Sequence, residues 1–140
     1  MPKNIGLQIV TPEKLVVNED VQIVMAPGVL GEFGVLIGHT PFLSLLKLGV
    51  VHYRDVHGVE KNVFISKGFA EVLPDKVTIL AESAERSSDI DTDRAQRAAE
   101  RARKRLAMNA AKENIDHSRA SAALDRAMQR LKLAGTIRNR

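Results

Sequence analysis

The sequence predicts an α+β chain in two parts, an N-terminal all-β sandwich over residues 1–86 followed by a C-terminal antiparallel α-helical hairpin over residues 87–140. Three observations carry this reading. Up to Glu82 the apolar residues fall in short alternating runs cut by Gly, Pro and Asp, the pattern of half-buried strands. Beyond it the apolar period changes from two to 3.6, the helical spacing. The second part also contains one sequence written twice: Ile90 to Leu106 (IDTDRAQRAAERARKRL) and Ile115 to Leu131 (IDHSRASAALDRAMQRL) agree at nine of seventeen positions at an offset of 25.

In chain order, residues 4 to 10 read as a strand and Thr11-Pro12-Glu13 as the turn that ends it. Val21 to Ala26 is a second strand, closed by Pro27-Gly28. From Gly28 to Gly38 the glycines fall at 28, 31, 34 and 38, a spacing suited to tight turns and close strand crossings. Val50 to Asp55 alternates, Asp55-Val56-His57-Gly58 offers a turn, and Val63 and Ile65 resume the alternation, which predicts a hairpin. A second hairpin pairs Gly68 to Leu73 with Lys76 to Leu80 around Pro74-Asp75, at the strand spacing of a sandwich or barrel.

Ser87-Ser88-Asp89 is the expected hinge. Asp91 stands where an N-cap belongs, with Asp93 in the first turn facing the helix dipole, and Asp116 repeats the arrangement for the second helix. Met108 to Asn114 reads as the connecting turn. Gly135 is expected to end the second helix as its C′ residue, leaving a basic tail from Ile137 to Arg140.

The apolar positions 95, 98, 99, 102, 106 and 120, 123, 124, 127, 131 form one face of each helix, and most are alanine. Arg94, Arg101 and Arg105 lie along one edge of the first face, and Arg119, Arg126 and Arg130 repeat this on the second. Folded into a hairpin, the helices would pack closely and the arginine edges would be free to converge on an anion. At about 0.8 kcal/mol per buried methyl, the face alanines contribute on the order of 5 kcal/mol in all. Ordering the hairpin costs more than that. It is therefore expected to be marginal, with a ligand or partner choosing between folded and extended states.

Composition narrows the function classes. With 140 residues, the chain is one or two small domains. Residues 1–81 carry seven basic and eight acidic side chains, whereas residues 82–140 carry fourteen and nine, so the positive excess belongs to the helical part. No cysteine is present, which excludes disulfides, thiol nucleophiles and thiolate metal sites. The most apolar run, Pro41 to Val51, is interrupted by Lys47 and too short to span a bilayer, and no secretory signal is read, so membrane association is expected only through a partner. His39, His52, His57 and His117 have no metal-ligand spacing, and neither paired carboxylates nor a nucleophile–base pair can be read, so no catalytic residue and no metal site are expected. GVLGEFGVLIG lacks the Gly-Lys-Ser/Thr of a phosphate loop and reads as turn chemistry.

With GEFGVLIGH at 31–39, SKGFAEV at 66–72, VTILAE at 77–82 and the alanine-rich hairpin behind them, the chain resembles the epsilon subunits of F-type ATP synthases over nearly its whole length. Two positions depart from that family's usual wording: Ile37 stands where proline is common before Gly-His, and Lys67 where a second glycine is common before Gly68-Phe69. The resemblance implies a non-catalytic rotor subunit, peripheral on the cytoplasmic face of the cell inner membrane as part of a complex. Its sandwich would bind the gamma subunit and the ring of membrane (c) subunits, with Glu32 and His39 at the ring. Its helices would inhibit ATP hydrolysis when extended towards the alpha and beta subunits, and release it when folded.

The resemblance further implies ATP as a regulatory ligand of the folded form. Ile90, Asp91, Arg94 and Ala95 match the Ile/Leu-Asp-x-x-Arg-Ala box, and Glu85, Arg101, Arg126 and Arg130 fall at matching positions. Magnesium is not expected to be required, since no Ser/Thr-plus-acid pair is arranged for it. Against this stands a purely structural reading of the box, with Asp91 an N-cap and Ile90 a hydrophobic staple. The second copy, Ile115-Asp116-x-x-Arg119-Ala120, strengthens that reading. Two other classes remain: a free-standing ATP sensor, and a basic helical nucleic-acid-binding module. The latter is disfavoured by the lack of base-stacking aromatics in the helices.

Overall fold

Ile5, Leu7 and Ile9 are fully buried and the residues between them are not, so strand β1 (Ile5–Val10) is an alternating strand with one face in a core. The computed structural model describes residues 4–108 and 117–138, and the chain divides into two compact units, Met1–Arg86 and Ser87–Arg140. In the first unit β1 is followed by β2 (Leu15–Gly28), β3 (Gly31–Val35), β4 (Phe42–Leu46), β5 (Gly49–Asp55), β6 (Glu60–Ile65), β7 (Gly68–Val72), β8 (Lys76–Ala81) and β9 (Ala84–Arg86). In the second, a 3₁₀ turn at Ser87–Asp89 precedes α1 (Thr92–Met108) and α2 (His117–Arg138). The result is a β-sandwich followed by two helices that pack on each other.

The strands run in the order β1-β8-β7-β4-β2-β5-β6-β9, with β3 also on β2, and a β1–β2 pairing closes the path. β1 pairs parallel with β8, and every other described pairing is antiparallel. β2 is the shared member. Its first half pairs with β1 (Ile5 opposite Val21, Ile9 opposite Val17), and its second half pairs with β5 and β3 (Val24 opposite both Tyr53 and Val35). A register shift between Val21 and Ile23 marks the change of partner, where a bulge bends the strand from one layer into the other. The alternating sets of all these strands, including Val17, Val21, Val24, Val35, Val51, Val72, Val77 and Ile79, form one continuous core.

The two predicted hairpins are present. Asp55 N donates to Val59 O at 2.9 Å, Gly58 takes φ +80, and the Asp55 carboxylate accepts from the backbone N–H of His57 and Val59, both at 2.9 Å. Around Pro74-Asp75, Leu73 N donates to Lys76 O at 2.8 Å. The Thr11 hydroxyl accepts from the N–H of Glu13 and Lys14, which closes the first turn. At Gly68 an added Cβ would overlap the Leu80 carbonyl oxygen, so the backbones of β7 and β8 approach there as only glycine allows.

Four expectations need correction. The second strand starts at Leu15, not Val21, because Asn18-Glu19-Asp20 reads as a polar loop although it is held in the ladder by β1. Residues 42–46 form a strand inside the run read only as apolar. β9 lies beyond Glu82, where period two was taken to end: three residues are too few to show a period, and pairing with β6 holds them. Gly135 does not end the second helix, which continues through it to Arg138 with no positive φ at that glycine. Packing of the neighbouring buried Leu133 and Ala134 outweighs the helix cost of one glycine, about 1 kcal/mol. The capping expectation for Asp116 and the connecting turn after Met108 fall outside the described residues.

Beside the first hairpin, Lys61 Nζ lies 3.1 Å from Glu19 Oε1 and 3.3 Å from Asp55 Oδ2. The Val59 and His57 N–H groups and the Lys61 ammonium hold the Asp55 carboxyl below its ordinary range. Glu19 and Asp55 hold the Lys61 ammonium above its own. A depressed carboxyl stabilises the fold above its unfolded pKa of about 3.9 and loses that contribution as pH falls through the lower folded value. Asp55→Asn is therefore expected to lower Tm by a few degrees near pH 7. The gap to the parent should narrow as pH falls below about 4 and close only below the lowered folded-state pKa of Asp55, where both proteins carry a neutral group. Thermal unfolding followed across pH checks this, and a gap that stays constant into acid would show that charge at Asp55 is not the cause.

Candidate functional site in the helical unit

Asp91 is the N-cap of α1. Its Oδ1 accepts the N–H of Arg94 at 3.0 Å and its carbonyl oxygen accepts the N–H of Ala95, also at 3.0 Å. Ile90 and Ala95, the flanking pair of a hydrophobic staple, are both buried. All four residues of the Ile-Asp-x-x-Arg-Ala box thus have work at the start of the helix, and the Arg94 guanidinium is left exposed.

The pairing of the helices follows from one contact. Arg103 Nη2 donates to Met128 Sδ at 3.2 Å, and the 3₁₀ turn before α1 lies against α2. The two helices form an antiparallel hairpin, with the turn before α1 lying against α2. Positions 103 and 128 are also equivalent in the internal repeat, being 25 apart. The repeat thus relates the two helices of the hairpin by a pseudo-two-fold, with Arg103 and Met128 at equivalent positions.

This symmetry decides where the arginines fall. At 100° per residue, Arg94, Arg101 and Arg105 stand roughly 160–200° around α1 from Arg103, and Arg119, Arg126 and Arg130 stand equally far from Met128 on α2. The two-fold carries one edge of α1 onto the matching edge of α2. Both arginine edges therefore lie on the same side of the hairpin, opposite the Arg103–Met128 contact. Along α1, Arg101 and Arg105 are about 6 Å apart at 1.5 Å per residue, and along α2 Arg126 and Arg130 are spaced in the same way. Arg94 lies about 10 Å from Arg101 towards the Asp91 end.

Of the expected nucleotide residues, then, the structure groups Arg101, Arg126 and Arg130 and sets Ile90, Asp91, Arg94 and Ala95 beyond them on α1. Arg126 and Arg130 are half-buried, while Arg94, Arg101 and Arg119 are exposed. Arg101 and Arg126 make no side-chain hydrogen bond or ion pair among the described residues. Glu85 belongs to the other unit, on β9 opposite Phe64. Guanidinium groups gathered on one side of a hairpin are suited to phosphate oxygens, which arginine binds through a planar fork. Among the described residues no cluster of three or more His, Cys, Asp or Glu could hold a metal ion.

In the sandwich, Glu32 is exposed on β3, and His39 follows a turn fastened by Gly38 N to Pro74 O at 2.6 Å and His39 N to Leu36 O at 3.2 Å. Gly38 takes φ +80, so the turn forms with Ile37 before it and without proline. The His39 ring packs on Phe42 at 5.2 Å, and Phe42 meets Phe33 edge-on at 5.1 Å. Lys67, the other departure, pairs with Glu82 at 3.4 Å on the surface.

One surface was not foreseen. Leu45, Phe69 and Leu80 face each other across β4, β7 and β8, each more than half exposed, and Val10, Pro12 and Val29 line a groove with them. The available signal was the presence of large apolar residues at both alternations of these strands, as in Phe42-Leu43-Ser44-Leu45-Leu46, since the set that is not core must face outward.

These surfaces define a two-part binding protein, a sandwich with an apolar face and a separate basic helical hairpin. Family descriptions match both parts: "ATP synthase, Delta/Epsilon chain, beta-sandwich domain" over residues 4–87, and "ATP synthase, Delta/Epsilon chain, long alpha-helix domain" over residues 88–135. The chain belongs to the ATP synthase delta/epsilon chain family. It is 62% identical to the ATP synthase epsilon chain of Desulfosudis oleivorans over 76% of this chain and 80% of that one. To the protein of the same name in Carboxydothermus hydrogenoformans it is 50% identical over 76% and 79%. Among solved structures it is similar to a chain of the Euglena gracilis mitochondrial ATP synthase OSCP/F1/c-ring assembly, with TM-score 0.77, 25% identity, and coverage of 92% of this chain and 80% of that one.

Proposed function

We infer that the chain is an epsilon subunit of an F-type ATP synthase, a non-catalytic component of the rotor stalk. Epsilon-chain relatives at 50–62% identity and a structural neighbour from an F1/c-ring assembly support this reading. The apolar row Leu45-Phe69-Leu80 suits a protein partner, for which the gamma subunit is proposed. Glu32 and His39, on the β3 side of the sandwich, are proposed to meet the ring of membrane subunits. No described helix is long and apolar enough to cross a membrane, so attachment through that ring fits a peripheral position on the cytoplasmic face of the inner membrane. In native membrane extracts the chain would then travel with the large ATPase complex, which a free-standing nucleotide sensor or a nucleic-acid binder would not do.

The helical unit is proposed to regulate. Extended, the two basic helices would engage the alpha and beta subunits and block hydrolysis; closed, they would release it, with ATP bound across the hairpin favouring the closed form. The observation that carries this is the placement of both arginine edges on one side of the hairpin. The box at the start of α1 would receive the base and Arg94 would follow it towards the phosphates. A ligand that binds only the closed state stabilises it by RT ln(1 + [L]/Kd), about 2.7 kcal/mol at a hundredfold excess. For a seam built on alanine methyls, that is enough to decide between the two states.

Arg126→Ala removes a half-buried charge-assisted contact worth about 2 kcal/mol and should weaken ATP binding by more than tenfold. Arg119→Ala, at the far end of the same edge, should matter less. Calorimetric titration measures both, and equal affinity for the parent and Arg126→Ala would refute bridging by ATP. With the phosphates held by arginine, binding should persist in EDTA; its disappearance on chelation would show that a metal is part of the site. Truncation after Ser88 removes both helices and leaves the sandwich, so the complex should still assemble and membranes should hydrolyse ATP faster. Failure to assemble, or unchanged hydrolysis where the full-length enzyme is latent, would place inhibition elsewhere.

A further inference from the structure

Arg103 and Met128, joined by a hydrogen bond, stand at equivalent positions of the repeat, yet they differ: one repeat supplies a guanidinium and the other a thioether. A thioether sulfur is a weak acceptor, so the bond as it stands adds little to closure. Met128 is 43% exposed, on the edge of the hairpin away from the arginine rows, so small oxidants can reach the side chain.

We propose that Met128 is a site of reversible oxidation by peroxide, and that its sulfoxide locks the hairpin through Arg103. The sulfur lone pair attacks one oxygen of hydrogen peroxide and the O–O bond breaks as the S–O bond forms. Sulfur is oxidised by two electrons, and the departing hydroxide takes the proton of the transferred oxygen to leave as water. The new oxygen is a far stronger acceptor than sulfur and lies beside a guanidinium already in place, which makes the bond charge-assisted. Oxidation of a buried methionine disrupts packing. At the exposed edge outside the alanine seam, little apolar contact is lost and the added bond dominates. This follows from the hairpin alone and does not depend on nucleotide binding.

The test treats the full-length chain with hydrogen peroxide, locates the added oxygen by peptide mass spectrometry, and follows amide hydrogen exchange in α1 and α2. Met108, 48% exposed, is an internal reference for reactivity. Oxidation at Met128 should slow exchange in both helices about fivefold. Methionine sulfoxide reductase should restore the original rate. Met128→Leu should show no slowing, and neither should Arg103→Ala, although its Met128 oxidises. Unchanged far-UV dichroism before treatment confirms that both variants fold, as expected for exposed positions. Exchange that is unchanged or faster in the oxidised parent, or slowed equally in Arg103→Ala, overturns the proposal.

Discussion

The first unit depends on β2 belonging to two layers at once. A strand that paired with β1 alone, or with β5 and β3 alone, would leave two small sheets with no shared backbone and exposed edges. The irregularity between Val21 and Ile23 turns the chain from one layer to the other without breaking hydrogen bonding, while Val17, Val21 and Val24 keep the same core on both sides of it. Closure through β1–β2 and β1–β8 then packs the buried alternations of eight other strands into a single cluster. The polar exception, Asp55, is held by two backbone N–H groups and Lys61, and among the described residues no buried side-chain nitrogen or oxygen lacks a partner.

The second unit is governed by the opposite circumstance. Among the described residues its buried positions are mainly alanine, with Ile90 and Leu133 the large exceptions, so the helices can approach closely but gain little by doing so. Their arginines stand side by side, and like charges on one edge oppose closure unless an anion sits between them. On the proposed function, weak apolar attraction and a charge penalty that a polyanion converts into a gain would let a ligand set the state of this unit. A large well-packed core would remove that sensitivity, just as it gives the sandwich its permanence.

Much of the chain was legible without coordinates. Period two, the turn residues at 55–58 and 74–75 and the twice-written helix all act locally, through backbone preferences and side-chain faces that a few consecutive residues define. The arginine edges were legible for the same reason. The cap at Asp91 could be named because capping involves only the next three or four residues.

Other features are absent from any local window. Whether Leu15 to Asp20 is strand or loop depends on β1 beside it, and whether Ala84–Arg86 is strand depends on β6, because ladder hydrogen bonds come from a distant segment. Gly135 terminates a helix in isolation but not where Leu133 and Ala134 are buried against the fold. Of the two sets of apolar residues in β4, β7 and β8, only the assembled sandwich decides that Leu45, Phe69 and Leu80 face out. The sequence by itself determined the elements, their faces and the chemistry of the arginines. Tertiary structure decided which faces of the two repeats meet, bringing Arg103 to Met128, and with that the side on which the charges gather, because the contact between two helices is a property of the pair and of neither helix alone.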